Sequence, residues 1–499
     1  MALKPLIDEV RQAGPAGDRG STVPVRSVLI YPALSILLLI PCFWQARLEA
    51  GDLSSHIYNA WLTQLIETGR IQGLTIASQT TNLLFDLMLS GLYRFLGPEG
   101  AQRIAVSIAV LVFVWGAFAF VSKVAGKRPW RLLICIAMLA YGWVFHMGFF
   151  NFYLSLGLCF WALALVWEPS RHRWFLAILI LGIAYTAHGL PVAWAACLLG
   201  YLRIAQHVPP RRHWWLTAGS LLTMILVHWT LSRYLVTQWS PLQIGSATGL
   251  GQVWVFDLKY YFVLAGLLVV WGLLFLELVL RSGARRVASS LAFQICIVSA
   301  AGVFIMPGAV LIPGFQHSLV YIAERMSLGV GICVCALLGT VRAPAFLRYG
   351  LVPVALLFFG FLFRDERALN SFEDRMEDAV ARLQPGQRVV SGVDDTTLHT
   401  FAVAHMIDRV CLGRCFSYGN YEASTAQFRV RATGLNPFVV SRYRDSVDIQ
   451  QGTYVVTPHD APIYRVGLED GRLVIQPLQI GVPCGMKFWN TLAGAPPRS

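Results

Sequence analysis

The stretch SVLIYPALSILLLIPCFWQARLEAGDLSSHIYNAWLTQLIETGRIQG, residues 27–73, decides how the chain is read. Its first part, 27–45, is an apolar run close to the roughly 20 residues that cross a bilayer as a helix. At Gly51 the chain turns polar. Asp52, His56, Asn59 and Thr63 fall on one face of a helix, and Leu53, Ile57, Trp61, Leu62 and Leu65 supply its apolar side. A membrane segment followed at once by an amphipathic helix that opens on an acid–imidazole pair points to function at the membrane–water boundary. The bland alternative is that Asp52 only caps the helix while His56 reaches toward the headgroups.

Composition agrees with a membrane protein. The chain has 499 residues, 56% of them hydrophobic and only 13% charged, against about 25% charged in soluble proteins. Mean hydropathy is +0.57. Apolar runs recur at 27–45, 104–122, 131–149, 152–167, 174–188, 191–206, 214–232, 259–280, 287–311, 326–341 and 349–363. The net charge of +13 sits largely in the gaps between them. Lys123, Lys127, Arg128 and Arg131 cluster in one gap, Arg171 and Arg173 in another. Arg203, Arg211 and Arg212 lie near a third, Arg281, Arg285 and Arg286 in a fourth, and Arg342 and Arg348 in a fifth. Gaps around Gly148–Asn151 and His188–Pro191 carry no Lys or Arg. This alternation follows the positive-inside rule, not a nucleic-acid-binding surface.

The predicted fold class is a polytopic α-helical membrane protein of about 11 spans with a small extracytoplasmic α/β C-terminal domain. Residues 1–26 form a cytoplasmic N-terminal tail, 27–363 the transmembrane domain with a large first outer loop at 46–103, and 364–499 the extracytoplasmic domain. Thr80–Leu96 holds Asp86 and Arg94 and is read as an interfacial helix, because counting it as a span would break the charge alternation. In the tail, 364–383 reads as a charged helix, 387–393 as a strand, 396–406 as a helix and 409–411 as the start of another strand. Further strands are expected at 453–457, 464–466 and 473–475.

Other candidates for chemistry lie on the same side. Glu324 and Arg325 sit at the outer end of a span, and a forked guanidinium suits phosphate oxygens. Gln316, His317 and Tyr321 are nearby. His146 and Asn151 flank a short outer turn. Cys411 and Cys415 form a C-x3-C pair that could bond in an oxidising compartment, and Cys484 could pair with either. His399 and His405 match no standard zinc spacing, so no metal site is expected. The aromatic and amide-rich 416–422, FSYGNYE, has a composition suited to sugar contacts. No phosphate-loop, dinucleotide-binding, HExxH or GxSxG motif is present, which leaves ATP-driven transport and common hydrolase machinery unsupported.

One span, then a long outer loop opening on an acidic residue, resembles the layout of GT-C fold glycosyltransferases. The motif-level likeness is confined to 51–73, GDLSSHIYNAWLTQLIETGRIQG. The resemblance implies an enzyme that moves a sugar from a polyprenyl-phosphate carrier to a glycan, lipid or protein acceptor on the outer face of the cell inner membrane. Asp52 would be the general base, with His56 beside it as a second catalytic group. Arg325, by position, would hold the carrier phosphate, with Glu324, Asn59, His146, Asn151 and His317 as substrate-binding candidates. Many members carry a second acid in the next outer loop; here that loop has His146 and Asn151 instead, which favours metal-independent transfer and no cofactor. The alternatives are a transporter or flippase for a lipid-linked saccharide, and a non-catalytic glycan-assembly membrane protein. No internal repeat favours the transporter.

Overall fold

The computed structural model describes residues 25–168, 170–312, 318–341, 349–393, 397–425, 427–434 and 436–485. The first compact unit ends at Ile40 and carries one apolar helix, Val25–Leu39, with Pro32 inside it. This is shorter than the 27–45 run, because the chain tightens into a 3-10 turn at Ile40–Cys42.

The second unit begins at Pro41 and is built mainly of helices. Among the described residues, four helices are long and apolar enough to cross a membrane: Leu84–Ala125, Pro210–Tyr234, Tyr260–Ser282 and Ile322–Gly339. Apolar segments at Leu132–His146, Phe150–Val166, Gly189–Ala205 and Leu291–Ile305 are helical but shorter. The count of about 11 therefore exceeds what helix length alone supports: several runs give helices below the roughly 20 residues a span needs. The 131–149 run is broken, with helices at Leu132–Ala140 and Trp143–His146.

The segment read as an interfacial helix starts at Leu84. It joins the following apolar run through a kink at Gly97, whose φ of 68° and extended ψ interrupt the helix before Pro98. The long helix then packs closely on Phe150–Val166. A Cβ on Gly116 would collide with the Gly157 carbonyl, and one on Gly157 would lie 2.7 Å from the Phe113 Cα. Small residues at this crossing let the backbones meet, and Phe113 stacks on Tyr153 at 4.5 Å.

The polar C-terminal part holds a four-stranded mixed sheet in the order Phe416–Ser417, Arg388–Gly392, Ile463–Glu469, Arg472–Pro477. The first two pairings are parallel and the last is an antiparallel hairpin. Asp470 and Gly471, both at positive φ, make its two-residue turn, as a D-G pair between β-prone runs should. Several tail expectations change. The charged segment at 364–383 continues the preceding apolar run in one helix, Leu351–Val380. Of the helix expected at 396–406, residues 397–405 are turns; the helix is Met406–Val410 and takes up the place of the strand at 409–411. In 453–457 there is only an isolated bridge at Val455.

The segment 46–103 does not lie alone. Its helix Leu53–Glu67 is buried along most of its length. Tyr58, Leu62, Ile71 and Leu74 share one apolar core with Met376, Val389, Met406, Ile407, Val430 and Val466. Leu74–Ile76 pairs antiparallel with Val430–Ala432. The apolar side of this helix is thus covered by the C-terminal part.

Candidate active site

Asp52 stands at the N-terminus of the Leu53–Glu67 helix, but its side chain makes no cap hydrogen bond. Its backbone N–H instead donates to the Met147 carbonyl at 3.1 Å. Two glycines permit this approach. A Cβ on Gly51 would sit 2.8 Å from the Met147 oxygen, and one on Gly148, already at φ +81°, 2.5 Å from the Asp52 nitrogen. The carboxylate is therefore not spent on capping, and it is 19% exposed.

The expected partner, His56, is not the one it meets. His405 Nε2 lies 3.6 Å from Asp52 Oδ1, an ion-pair distance too long for a hydrogen bond. On its other side His405 Nδ1 is 3.2 Å from Asp408 Oδ2. Asp408 accepts from the Ser417 hydroxyl and from Asn420 Nδ2 at 3.1 Å. Asn420 Nδ2 also reaches the Ser55 hydroxyl at 3.0 Å, back on the first-loop helix. Burial opposes a charge on His405, but the hydrogen bond and charge of Asp408, then Asp52 and Glu422, outweigh it and raise its pKa.

His56 forms a second centre. Its Nδ1 is 2.7 Å from Asp86 Oδ1 and 4.0 Å from Glu422 Oε1. Burial again opposes the charge, yet Asp86, Glu422 and Asp52 together push His56 up to about 9. Glu422 accepts from the Ser55 hydroxyl at 2.9 Å. Burial lifts its carboxyl to about 7 against the opposing charge of His56. Asn151, expected to touch substrate, is committed to structure. Its amide donates to Asp86 Oδ2 at 2.8 Å and its carbonyl accepts from the Phe85 N–H at 2.8 Å.

Arg325 opens the Ile322–Gly339 helix. Its guanidinium stacks over Phe149 at 3.7 Å from the ring centre, and its Nε is buried with no hydrogen-bond partner among the described residues. Asp52, Tyr421 and Tyr321 are its electrostatic neighbours. Tyr321 precedes the helix in the left-handed region at φ 57°, a strained setting for a bulky residue, and packs against Trp143 and Phe149. Glu324 is half-buried; its backbone carbonyl accepts from Gln252 Nε2 at 2.8 Å and the Ser327 hydroxyl at 2.8 Å.

Asn59 donates to the Ser55 carbonyl at 2.9 Å and to Asn420 at 3.3 Å, so it braces the helix against the tail. His146 is fully buried, held between the Gly142 carbonyl and Glu366 at 3.1 Å each. His317 lies outside the described residues. His399 stacks flat on Trp254 at 3.8 Å. It lines a pocket of about 470 Å3 together with Phe256, Lys259 and Leu398, which neither Asp52 nor Arg325 borders. Among the described residues no three of His, Cys, Asp and Glu converge as a metal site would require. Cys411 and Cys415 are disulfide-bonded, and Cys484 is buried.

A buried clasp fixes the short helix that follows His405. Arg409 Nε donates to Glu373 at 2.7 Å and Nη2 to Glu49 at 3.0 Å, while Nη1 meets the Leu48 carbonyl at 2.8 Å. First loop, long C-terminal helix and tail are tied at one guanidinium. Sequence reasoning missed His405, Asp408, Asp86 and Glu422 as members of the site. Two signals were present: an imidazole three residues before a carboxylate at 405–408, and a lone acid, Asp86, inside an apolar segment. The FSYGNYE stretch does join the site, but through Ser417, Asn420 and Glu422 as buried braces.

Comparison of the chain with protein-family models, curated proteins and solved structures gives no match.

Proposed function

We propose that this protein is an integral membrane glycosyltransferase of GT-C-like layout. It moves a sugar from a polyprenyl-phosphate carrier to an acceptor on the extracytoplasmic face of the cell inner membrane, with Asp52 as general base. The observation that carries this reading is the electrostatic pairing of a partly exposed carboxylate, not used in capping, with a half-buried guanidinium whose buried Nε meets no acceptor among the described residues, at a helix start beside apolar helices. Glycosyl transfer needs both. A base takes the acceptor's proton as its oxygen attacks the anomeric carbon, and positive charge stabilises the phosphate that leaves. The carrier's tail stays in lipid while its phosphate reaches Arg325. The Cys411–Cys415 disulfide supports a tail in an oxidising, extracytoplasmic compartment, with about 11 spans bringing it there. His56, paired with Asp86, serves to hold the loop and does not act on substrate.

The test is transfer from radiolabelled polyprenyl-phosphate sugars to membrane acceptors. Asp52→Asn abolishes transfer while the protein still inserts and folds. Normal transfer by that variant ends the proposal.

A further inference from the structure

The first-loop carboxylate and the tail imidazole meet although they come from opposite ends of the chain. His405 has Asp52 in front of it at 3.6 Å and Asp408 behind it at 3.2 Å. Asp408 is itself immobilised by Ser417 and Asn420 and is 1% exposed. The charged and titratable groups facing the ring are therefore Asp408 on its own helix, Asp52 on the first loop, and Glu422 and Tyr421 on the following segment. A ring so placed has two N–H groups directed at two carboxylates.

We propose that His405 is a tail-borne positioning residue for Asp52: as an imidazolium steadied from behind by Asp408, it holds the Asp52 carboxylate in place and balances its charge. This rests on the reading of Asp52 as the base. It differs from a mere packing role in that the coupling between the two groups runs both ways. Asp52 makes no cap bond, and among the described residues no side-chain hydrogen bond fixes its rotamer. The tail then becomes part of the catalytic device, because the helix bearing His405 is set by the Arg409 clasp.

The experiment uses the full chain in detergent micelles with 13C-labelled histidine, following the His405 resonance by NMR against pH. The resonance is assigned by its loss in His405→Gln and, independently, by its displacement in Asp408→Asn. Asp52→Asn is expected to lower the His405 midpoint by about 1 pH unit or more, since an opposite charge within ion-pair range shifts a group by about 1 to 3 units. An unchanged midpoint in Asp52→Asn overturns the proposal. In the transfer assay with radiolabelled polyprenyl-phosphate sugars, His405→Gln is expected to lower kcat by about 100-fold with KM for the carrier kept, the size of effect a misplaced reacting group gives. An unaltered kcat also overturns it. Failure of the transferase reading is visible separately: the wild-type chain would then transfer no sugar, whatever the titration shows.

Discussion

Replacing Asp86 by asparagine removes the carboxylate that sits 2.7 Å from His56 while keeping the side chain's shape and its contact with Asn151. His56 is raised from 6.5 to about 9. Each pH unit of such a shift is about 1.4 kcal/mol, so the charged ring contributes about 3 kcal/mol to folding. The sign follows from the direction. The folded state holds the proton more tightly, so this stability is full below pH 6.5 and is lost as the pH rises through about 9. Glu422 is also raised, from 4.5 to about 7, so its contribution is already lost by about neutral pH. Between about pH 7.5 and about pH 9.5 the His56 share of the decline amounts to about 2 kcal/mol. In Asp86→Asn burial dominates, His56 is neutral across that range, and the slope falls short of the wild type's by that share. Urea unfolding of the detergent-solubilised protein, followed by tryptophan fluorescence at each pH, measures this. A wild type whose stability is flat above about pH 7.5, or a variant that keeps the wild-type slope, refutes the reasoning.

Arg409→Met strands Glu49 and Glu373 without their shared cation and is expected to cost about 3–5 kcal/mol, read by the same unfolding method. A cost below about 1 kcal/mol would mean the clasp is solvated, not buried. Gly148→Ala forces a side chain into the Asp52 backbone at a left-handed φ; a loss of about 1–3 kcal/mol and a parallel loss of sugar transfer are expected. Replacing both Cys411 and Cys415 by serine opens a short loop and costs about 2 kcal/mol; peptide mapping without reductant should recover that pair joined.

Local features were legible in the amino-acid order. The Leu53–Glu67 helix, the strands near 388 and 463, and the D-G hairpin all follow from periodicity and turn chemistry. Hydropathy found the apolar helices but does not fix the number of spans, because a run of apolar residues does not state whether its helix will end after 15 residues, as Leu291–Ile305 does. The site was half legible. Asp52 and Arg325 were singled out by chemistry and position. The error lay in giving Asp52 its i+4 neighbour, when helix spacing places two side chains on one face without deciding which third element will slide between them. His405 and Asp86 each claim one member of the pair. Only tertiary packing settles such a contest.

The distance along the chain between the two halves of the clasp has a cost in time. Arg409 and Glu49 are 360 residues apart. At about 5–20 residues per second, a ribosome needs about 20–70 s to bring out the second after the first. For that interval the Leu53–Glu67 helix exists with its apolar side uncovered and Leu74–Ile76 with an open edge. The nascent chain is then most exposed to proteases and most in need of a chaperone, and a chain cut short before residue 405 never gains all the groups that cover this helix.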